Sequence, residues 1–241
     1  MKYTILSLFP EIIDAYFSSS IMAKARDRGL VEYKSLNIRD FALDKHRSCD
    51  DAPYGGGPGM LMLAEPLGRA LEAAAAREKR VIYLSPSGRP FNQALARELT
   101  AEKELVLICG RYEGIDQRII DIYVTDEISV GDYVLSSGEV AALALIDATY
   151  RLVEQVIKPE SLDEESFERG LLEYPQYTRP EIYDTIKVPE VLLSGHHENI
   201  RRWRLEKRVE KTLALRPDLI RRGEEEQLFD KETCKIIEEK R

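Results

Sequence analysis

The amino-acid sequence predicts an α/β protein built on a parallel sheet, followed by a small helical unit. Three observations predict it. Apolar, β-rich runs at residues 3–9, 80–86 and 104–110 are short and bounded by breakers, the pattern of strands buried on both faces. Helical stretches at 65–79 and 91–100 lie between them, as crossovers between parallel strands require. After residue 157 the alternation gives way to a polar, proline-broken run and then to a charged, helix-rich remainder. The expected division is residues 1–157, a linker at 158–168, and residues 169–241.

Each element has its own signal. "YTILSLF" (3–9) opens the sheet, and residues 11–29 read as one helix that stops at Gly29. "VEYKSLNI" (31–38) alternates as a half-buried strand does. "EPLGRALEAAAAREK" (65–79) carries Pro66 in its first turn. "RVIYLSP" (80–86) and "ELVLICG" (104–110) flank the crossover helix "FNQALARELT" (91–100). "GEVAALALIDATYRLVEQVI" (138–157) is more apolar than a helix with one exposed face, so it is expected to be buried, in part in a subunit interface.

The 241 residues, 44% hydrophobic and 32% charged, describe an ordinary globular chain, not a disordered or fibrous one. The apolar run at the start is too short for a signal-peptide core or a membrane span. Cys49, Cys109 and Cys234 are widely spaced and form no CxxC pair, which disfavours a disulfide framework or zinc site and fits a reducing cytosol. The expected location is therefore cytoplasmic, with no membrane partner and no bound metal among the site residues. The net charge of −8 argues against a nucleic-acid partner, yet residues 201–222 hold nine Lys/Arg against three Asp/Glu. Charge alone leaves a phosphate-binding patch and a solvated helix face equally open.

Ligands of open α/β sheets bind at the carboxyl ends of the strands. Three loops there share one chemistry: "YLSPSGRP" (83–90), "CGRYEGID" (109–116) and "SVGDYVLSSGE" (129–139) each set glycine beside hydrogen-bonding or aromatic groups. No GxxxxGK[ST] occurs and no GxGxxG follows the first strand, which disfavours a nucleoside triphosphate or a dinucleotide. An adenosine-bearing ligand without phosphates, such as S-adenosylmethionine, remains. "YGGGPGM" (54–60) can hold neither helix nor strand; its glycines suit a ligand close to the main chain, or a plain exposed loop.

The motifs "SLFPE", "NIRDF", "DKH", "DDAPYGGGPGM", "YLSPSGR", "CGRYEGID", "SVGDYVLSSGE", "GLLEYPQYTRP" and "VLLSGHHENIRRWR" together resemble the bacterial tRNA (guanine-N1)-methyltransferase family of the SPOUT superfamily. The likeness runs from residue 3 to about residue 216. It implies a parallel-sheet SPOUT domain with a deep trefoil knot, an exception to the rule that chains avoid knots, and a helical tRNA-binding domain at 169–241. It implies a homodimer with an active site shared between subunits. The implied reaction moves a methyl group from S-adenosyl-L-methionine to N1 of guanosine 37 of tRNA, 3′ of the anticodon, with Mg²⁺ as a further cofactor for which the sequence offers no site.

Carried over residue by residue, the resemblance implies a cofactor pocket of Tyr83, Leu84, Ser85, Pro86, Gly110, Tyr112, Glu113, Val130, Gly131, Tyr133, Leu135, Ser137 and Gly138. Arg151 matches the arginine that faces the base's O6. The family's general base is an aspartate in a "DSF" linker, where this chain has Glu165 in "EESF"; Glu165 is the first assignment and Asp163 the alternative. Ser137–Gly138 stands where the family has paired glycines, and Ala141 where it has proline. Tyr54, Gly55 and Gly59 would meet the inserted guanine, as base-flipping chemistry asks. His46, His197, Arg201, Arg202 and Arg204 would contact tRNA, with Lys207 and Arg208 as further phosphate contacts and Trp203 a stacking or packing residue. Two rival readings stand beside it: a tRNA-binding protein without catalysis, supported by Glu165 alone, and an unrelated nucleotide-binding α/β enzyme, against which the absent phosphate motifs count.

Overall fold

The computed structural model describes residues 1–158 and 165–241. The chain divides into two compact units, Met1–Ile157 and Lys158–Arg241. The first unit holds β1 (Lys2–Ser7), α1 (Pro10–Phe17), α2 (Ser20–Asp27), β2 (Glu32–Asn37), β3 (Asp50–Asp51), β4 (Leu61–Met62), α3 (Ala64–Ala73), β5 (Arg80–Pro90), α4 (Gln93–Thr100), β6 (Glu104–Ile108), α5 (Gln117–Tyr123), β7 (Asp126–Ser129) and α6 (Gly138–Tyr150). Five strands form one parallel sheet in the order β2-β1-β6-β5-β7.

Both faces of that sheet are buried, and the period-2 alternation of each strand divides its residues between them. Tyr3, Ile5, Ile82, Leu84, Leu105 and Leu107 join a core with α1, α4 and α6, through Ile13, Phe17, Leu95, Leu99, Leu145 and Ile146. Leu6, Val81, Tyr83, Val106 and Ile108 belong to the opposite core, with Leu67 and Leu71 of α3 and Ile119 of α5. This two-sided burial is why the strands read as continuous apolar runs.

Two expected elements differ. The helix expected over 11–29 is two helices, because the Ser18 and Ser19 hydroxyls both donate to the Ala15 carbonyl, at 2.8 and 2.9 Å, and draw it out of the ladder. The long helix expected over 138–157 stops at Tyr150. There the Thr149 carbonyl accepts from Leu152 N at 3.1 Å, and Val153 N takes the Tyr150 carbonyl, so the α-ladder gives way to tighter turns. Of α6, Ala141, Ala142, Leu145 and Ile146 are buried, while Val140 and Ala144 face outward in the single chain.

The second unit contains a two-stranded β8 (Ile182–Tyr183) and β9 (Ile186–Lys187), then α7 (Glu190–Leu193), α8 (His197–Leu215), α9 (Pro217–Glu225) and α10 (Lys231–Lys240). Its core is small: Leu171, Val209, Ile220, Ile236 and Ile237, with Phe229 packed against it. The segment before β8 is tied to α8, since Leu172 N donates to Thr212 Oγ1 at 2.9 Å and Arg208 Nε donates to the Leu172 carbonyl at 3.3 Å.

Between β5 and β7 sits a paired charge cluster. Arg80 donates to both oxygens of Asp126, at 2.8 and 3.0 Å, and to Glu98 at 2.5 Å. The Arg80 guanidinium holds the Asp126 carboxyl below the usual carboxylate range. A carboxyl so lowered stabilises the fold above its unfolded pKa, near 4, and loses that contribution as pH falls through its folded value. Arg80→Met is therefore expected to lower stability at pH 7, with the gap to the wild type narrowing below about pH 4 in urea melts. A gap that is constant with pH would rule this pairing out as its source.

Gly138 supplies a second test. A Cβ there would stand 2.5 Å from Gly110 N and 2.8 Å from Cys109 Cα, backbone atoms that cannot swing aside. Gly138→Ala is expected to cost about 1–3 kcal/mol in denaturant unfolding, as overpacking does.

Candidate active site

At the carboxyl end of the sheet the ends of β5, β6 and β7 and the start of α6 enclose a cavity of about 200 Å³. β5 loops out between Leu84 and Arg89 before it rejoins β7, which turns Ser85 and Pro86 into the cavity wall. Gly110 follows β6, and α6 docks on it directly, with Gly138 N donating to the Gly110 carbonyl at 2.9 Å. All thirteen cofactor residues expected from the sequence line this one cavity. Ala141, noted from the sequence only as a departure from the family's proline, lines it too, as do Arg111, Gly114, Ile128, Ser129 and Val134, which were not singled out although all but Ile128 stand inside the quoted glycine loops.

A buried ionic brace holds the three walls together. Glu139, in the first turn of α6, has no exposed surface. Its Oε1 accepts from Ser7 Oγ at 2.5 Å, and its Oε2 lies 3.0 Å from Arg111 Nε. Ser7 Oγ also accepts from Phe9 N at 2.8 Å, and the Arg111 guanidinium lies 4.4 Å over the Phe9 ring. The end of β1, the loop after β6 and the start of α6 are thereby closed into one ring of contacts. A carboxylate is favoured at that position by the positive end of the helix dipole.

The lining fits an adenosine-bearing ligand. Leu84, Ile128, Val130, Leu135 and Ala141 offer apolar walls, and the glycine-rich turns at 110–114 and 131 present main-chain donors and acceptors to a flat polar ring. Glu113 supplies a carboxylate at the same cavity. Burial pushes the Tyr83 phenol up, so it remains a protonated hydrogen-bonding group. Cys109, fully buried behind Gly110, has its thiol raised well above normal by burial and by the nearby Glu139 carboxylate, so it is an inert packing residue.

The glycine stretch docks on this site at one point. Gly59 lies so close to Glu113 that a Cβ would meet its Oε1 at 2.4 Å, and Glu113 N donates to the Met60 carbonyl at 3.0 Å. Gly55, Gly56 and Gly57 have open space around them and positive φ angles, and Tyr54 is fully exposed beside them. A larger cavity of about 1310 Å³, which Tyr54 also lines, lies among residues 41–54, α3 and α5. It carries Asp44, Asp51, Glu65, Glu72 and Asp116 against Arg69 and Arg118, a lining that repels a polyanion.

The remaining expected residues are spread between the two units. Arg151 caps the C-terminal end of α6 in the first unit, and Glu165 belongs to the second; both are half-buried. Asp163 and most of the linker expected at 158–168 lie outside the described residues. His46 is exposed in the first unit, and His197 is exposed at the start of α8. Among the described residues no group of three or more His, Cys, Asp and Glu is arranged to hold a metal, so Mg²⁺ acquires no residue here.

The basic segment is less basic than its sequence suggests. Arg201 pairs with Glu198 at 2.7 Å and Glu232 at 2.9 Å, Arg202 with Glu206 at 3.0 Å, Lys207 with Glu210 at 2.6 Å, and Arg216 with Asp218 at 2.7 Å. Across residues 158–241 there are 17 Lys/Arg and 20 Asp/Glu, so the cationic character is confined to particular spots. The Arg204 guanidinium stacks 4.7 Å over the Tyr174 ring.

Comparison with known proteins adds an independent line. The family model described as tRNA (Guanine-1)-methyltransferase TrmD matches residues 1–222. A tRNA (guanine-N(1)-)-methyltransferase of Treponema denticola is 62% identical over 239 residues, covering 99% of this chain and 98% of that protein. Proteins of the same name are 57% identical in Treponema pallidum, over 99% of this chain and 96% of the relative, and 60% identical in Borreliella burgdorferi, over 91% and 92%. The motifs that line the cavity, the match across 222 residues and these full-length relatives agree that the chain belongs to the tRNA (Guanine-1)-methyltransferase TrmD family.

Proposed function

We propose that the protein transfers the methyl group of S-adenosyl-L-methionine to N1 of guanosine 37 of tRNA. The observation that carries this reading is the meeting of thirteen expected cofactor residues in one cavity, on a chain of the TrmD family. The first unit is the catalytic SPOUT domain and the second the tRNA-binding domain. The trefoil knot is part of the proposal; its support is two tight backbone crossings, Gly88 against Glu127–Ile128 and Gly138 against Cys109–Gly110. So is the homodimer with a shared active site, supported by Val134 and Val140, 86% and 52% exposed beside the cavity, which a second copy would cover. No helix among the described residues is long and apolar enough to cross a membrane; we assign the protein to the cytoplasm.

The cofactor supplies a methyl group already activated by its sulfonium. The strand-end loops hold and orient it, and the Glu139–Arg111 brace keeps those loops in register, so that in-line approach becomes a matter of geometry. Glu165 accepts the N1 proton of guanine as the nitrogen becomes the nucleophile. Arg151 stabilises the negative charge that develops on O6. Gly59 lets the main chain of the glycine stretch lie against Glu113, and Tyr54 beside it offers an exposed ring for the displaced base.

Methyl transfer from labelled S-adenosylmethionine to unmodified tRNA transcripts, with the product nucleoside identified, tests the reading. N1-methylguanosine is expected, with Glu165→Gln slower by about 10²–10⁴-fold and Asp163→Asn close to the wild type. The reverse pattern would move the base to Asp163. A wild type that binds cofactor and tRNA but transfers nothing would establish the non-catalytic reading instead. Glu139→Gln is expected to weaken cofactor binding and lower kcat/KM by up to about 10²-fold, because it loosens the walls without touching the reacting atoms. Cofactor affinity equal to the wild type would show the brace to be structural only.

A further inference from the structure

Helix α8 of the second unit separates two cavities on adjacent faces. On one side a cavity of about 570 Å³ is lined by Tyr174, Tyr177, Trp203, Arg179 and Arg204. Tyr177 and Trp203 stand with ring centroids 6.4 Å apart and planes tilted by 54°. On the other side a cavity of about 620 Å³ is lined by four guanidinium groups, Arg169, Arg201, Arg204 and Arg208, with Asp230 as the carboxylate among them. Arg204 belongs to both linings, and its guanidinium is oriented by the Tyr174 ring.

We propose that this pair of cavities binds one unstacked nucleotide of the RNA, its base among Tyr174, Tyr177 and Trp203 and its phosphate among the arginines, with Arg204 between the two. The inference rests on the tRNA-binding reading of the second unit and goes beyond it, because this nucleotide is distinct from the methyl acceptor, whose chemistry belongs to the cavity of the first unit. A flat base needs a π-face and an edge donor, and the aromatic cavity presents rings together with Arg179 and Arg204. A phosphodiester needs planar donor forks, and four arginines line the neighbouring cavity, two of them, Arg201 and Arg208, already engaged by protein groups.

The arginines are not equivalent. Arg201 is already held by Glu198 and Glu232, and Asp230 is committed to capping α10, where it accepts from Thr233 N at 2.8 Å. Arg208 is fixed by its donation to the Leu172 carbonyl. Arg169 comes not from α8 but from a turn in which it adopts φ +52° and Gly170 φ +74°. That turn is closed by Phe167 N donating to the Leu171 carbonyl at 2.8 Å. The phosphate contact of the segment 201–208 is thus expected to be concentrated at this cavity and not spread along the exposed face, where Arg202 pairs with Glu206.

Trp203 is the only tryptophan of the chain, so its fluorescence reports on the aromatic cavity alone. Titration of the full chain with unmodified tRNA transcript is expected to quench it saturably. Tyr177→Ala, a half-exposed position where truncation leaves the core intact, is expected to raise the Kd for tRNA and the KM for tRNA about tenfold while kcat at saturating tRNA and cofactor affinity hold. Arg169→Gln is expected to weaken binding and to reduce the slope of log Kd against log salt by about one. The proposal falls if tRNA is bound and methylated while Trp203 emission stays constant, or if Tyr177→Ala binds tRNA as the wild type does. A wild type that neither binds nor methylates tRNA would overturn the functional reading beneath it, a different and recognisable failure.

Discussion

The carboxylate of Glu139 is the constraint on which the site depends. It is fully buried, and its two oxygens face Ser7 at the end of β1 and Arg111 in the loop after β6, the strand that pairs with β1 in the sheet. A buried charge of this kind tolerates no half-measure: removing one partner of a buried pair costs about 3–5 kcal/mol, whereas the intact pair adds little net stability. What it provides is position. The loop after β6 and the start of α6 can occupy one arrangement, because any other leaves a charge in the interior without its partner. The Phe9 ring under the Arg111 guanidinium adds a second restraint on the same group.

Close backbone approaches complete what the brace begins. Gly138 brings the first turn of α6 onto Cys109 and Gly110, and Gly59 brings the glycine stretch onto Glu113. At Gly138 a single methyl group would press on backbone and force two walls of the candidate site apart, whereas at Gly59 it would displace the side chain of Glu113, itself a wall residue. The cavity is therefore shaped by main chain more than by side chains. That suits a ligand recognised through its edges, and it explains why the lining contains so many small residues beside so few ionisable ones.

Much of this was legible in the sequence, and what was not has identifiable causes. The strands at 80–86 and 104–110 were readable because two-sided burial makes them continuously apolar, and the thirteen pocket residues were readable through motif resemblance. The break at Ser18–Ser19 was hidden, since serine is acceptable in a helix until its hydroxyl competes for a carbonyl. The end of α6 at Tyr150 was hidden too, because residues 151–157 remain helix-compatible in composition and the cause is a carbonyl diverted at Thr149. Arg111 looked like one more residue of a glycine loop; its role depends on Glu139, 28 positions later in sequence, and no local pattern links them. The basic segment misled in the opposite direction, because its partners Glu198, Glu226 and Glu232 lie outside the window that made it look cationic.

Such internal pairing limits how an acidic protein engages RNA. With more carboxylates than cations in each unit, long-range attraction to a polyanion is weak, and a Debye length of about 8 Å at physiological salt leaves only local charge to act. Specific contact must then come from places where guanidinium groups converge and where aromatic faces accompany them. In the described residues of the second unit, Arg204 on Tyr174, flanked by Arg208 and Arg169 on one side and by Trp203 and Tyr177 on the other, is such a place. An enzyme built this way discriminates against nucleic acid in general: a duplex offers phosphates but no free base, and a mononucleotide offers a base without the connected chain. Selectivity for a folded RNA with exposed loop nucleotides follows from the pairing of the two features, and an evenly basic surface would forfeit it.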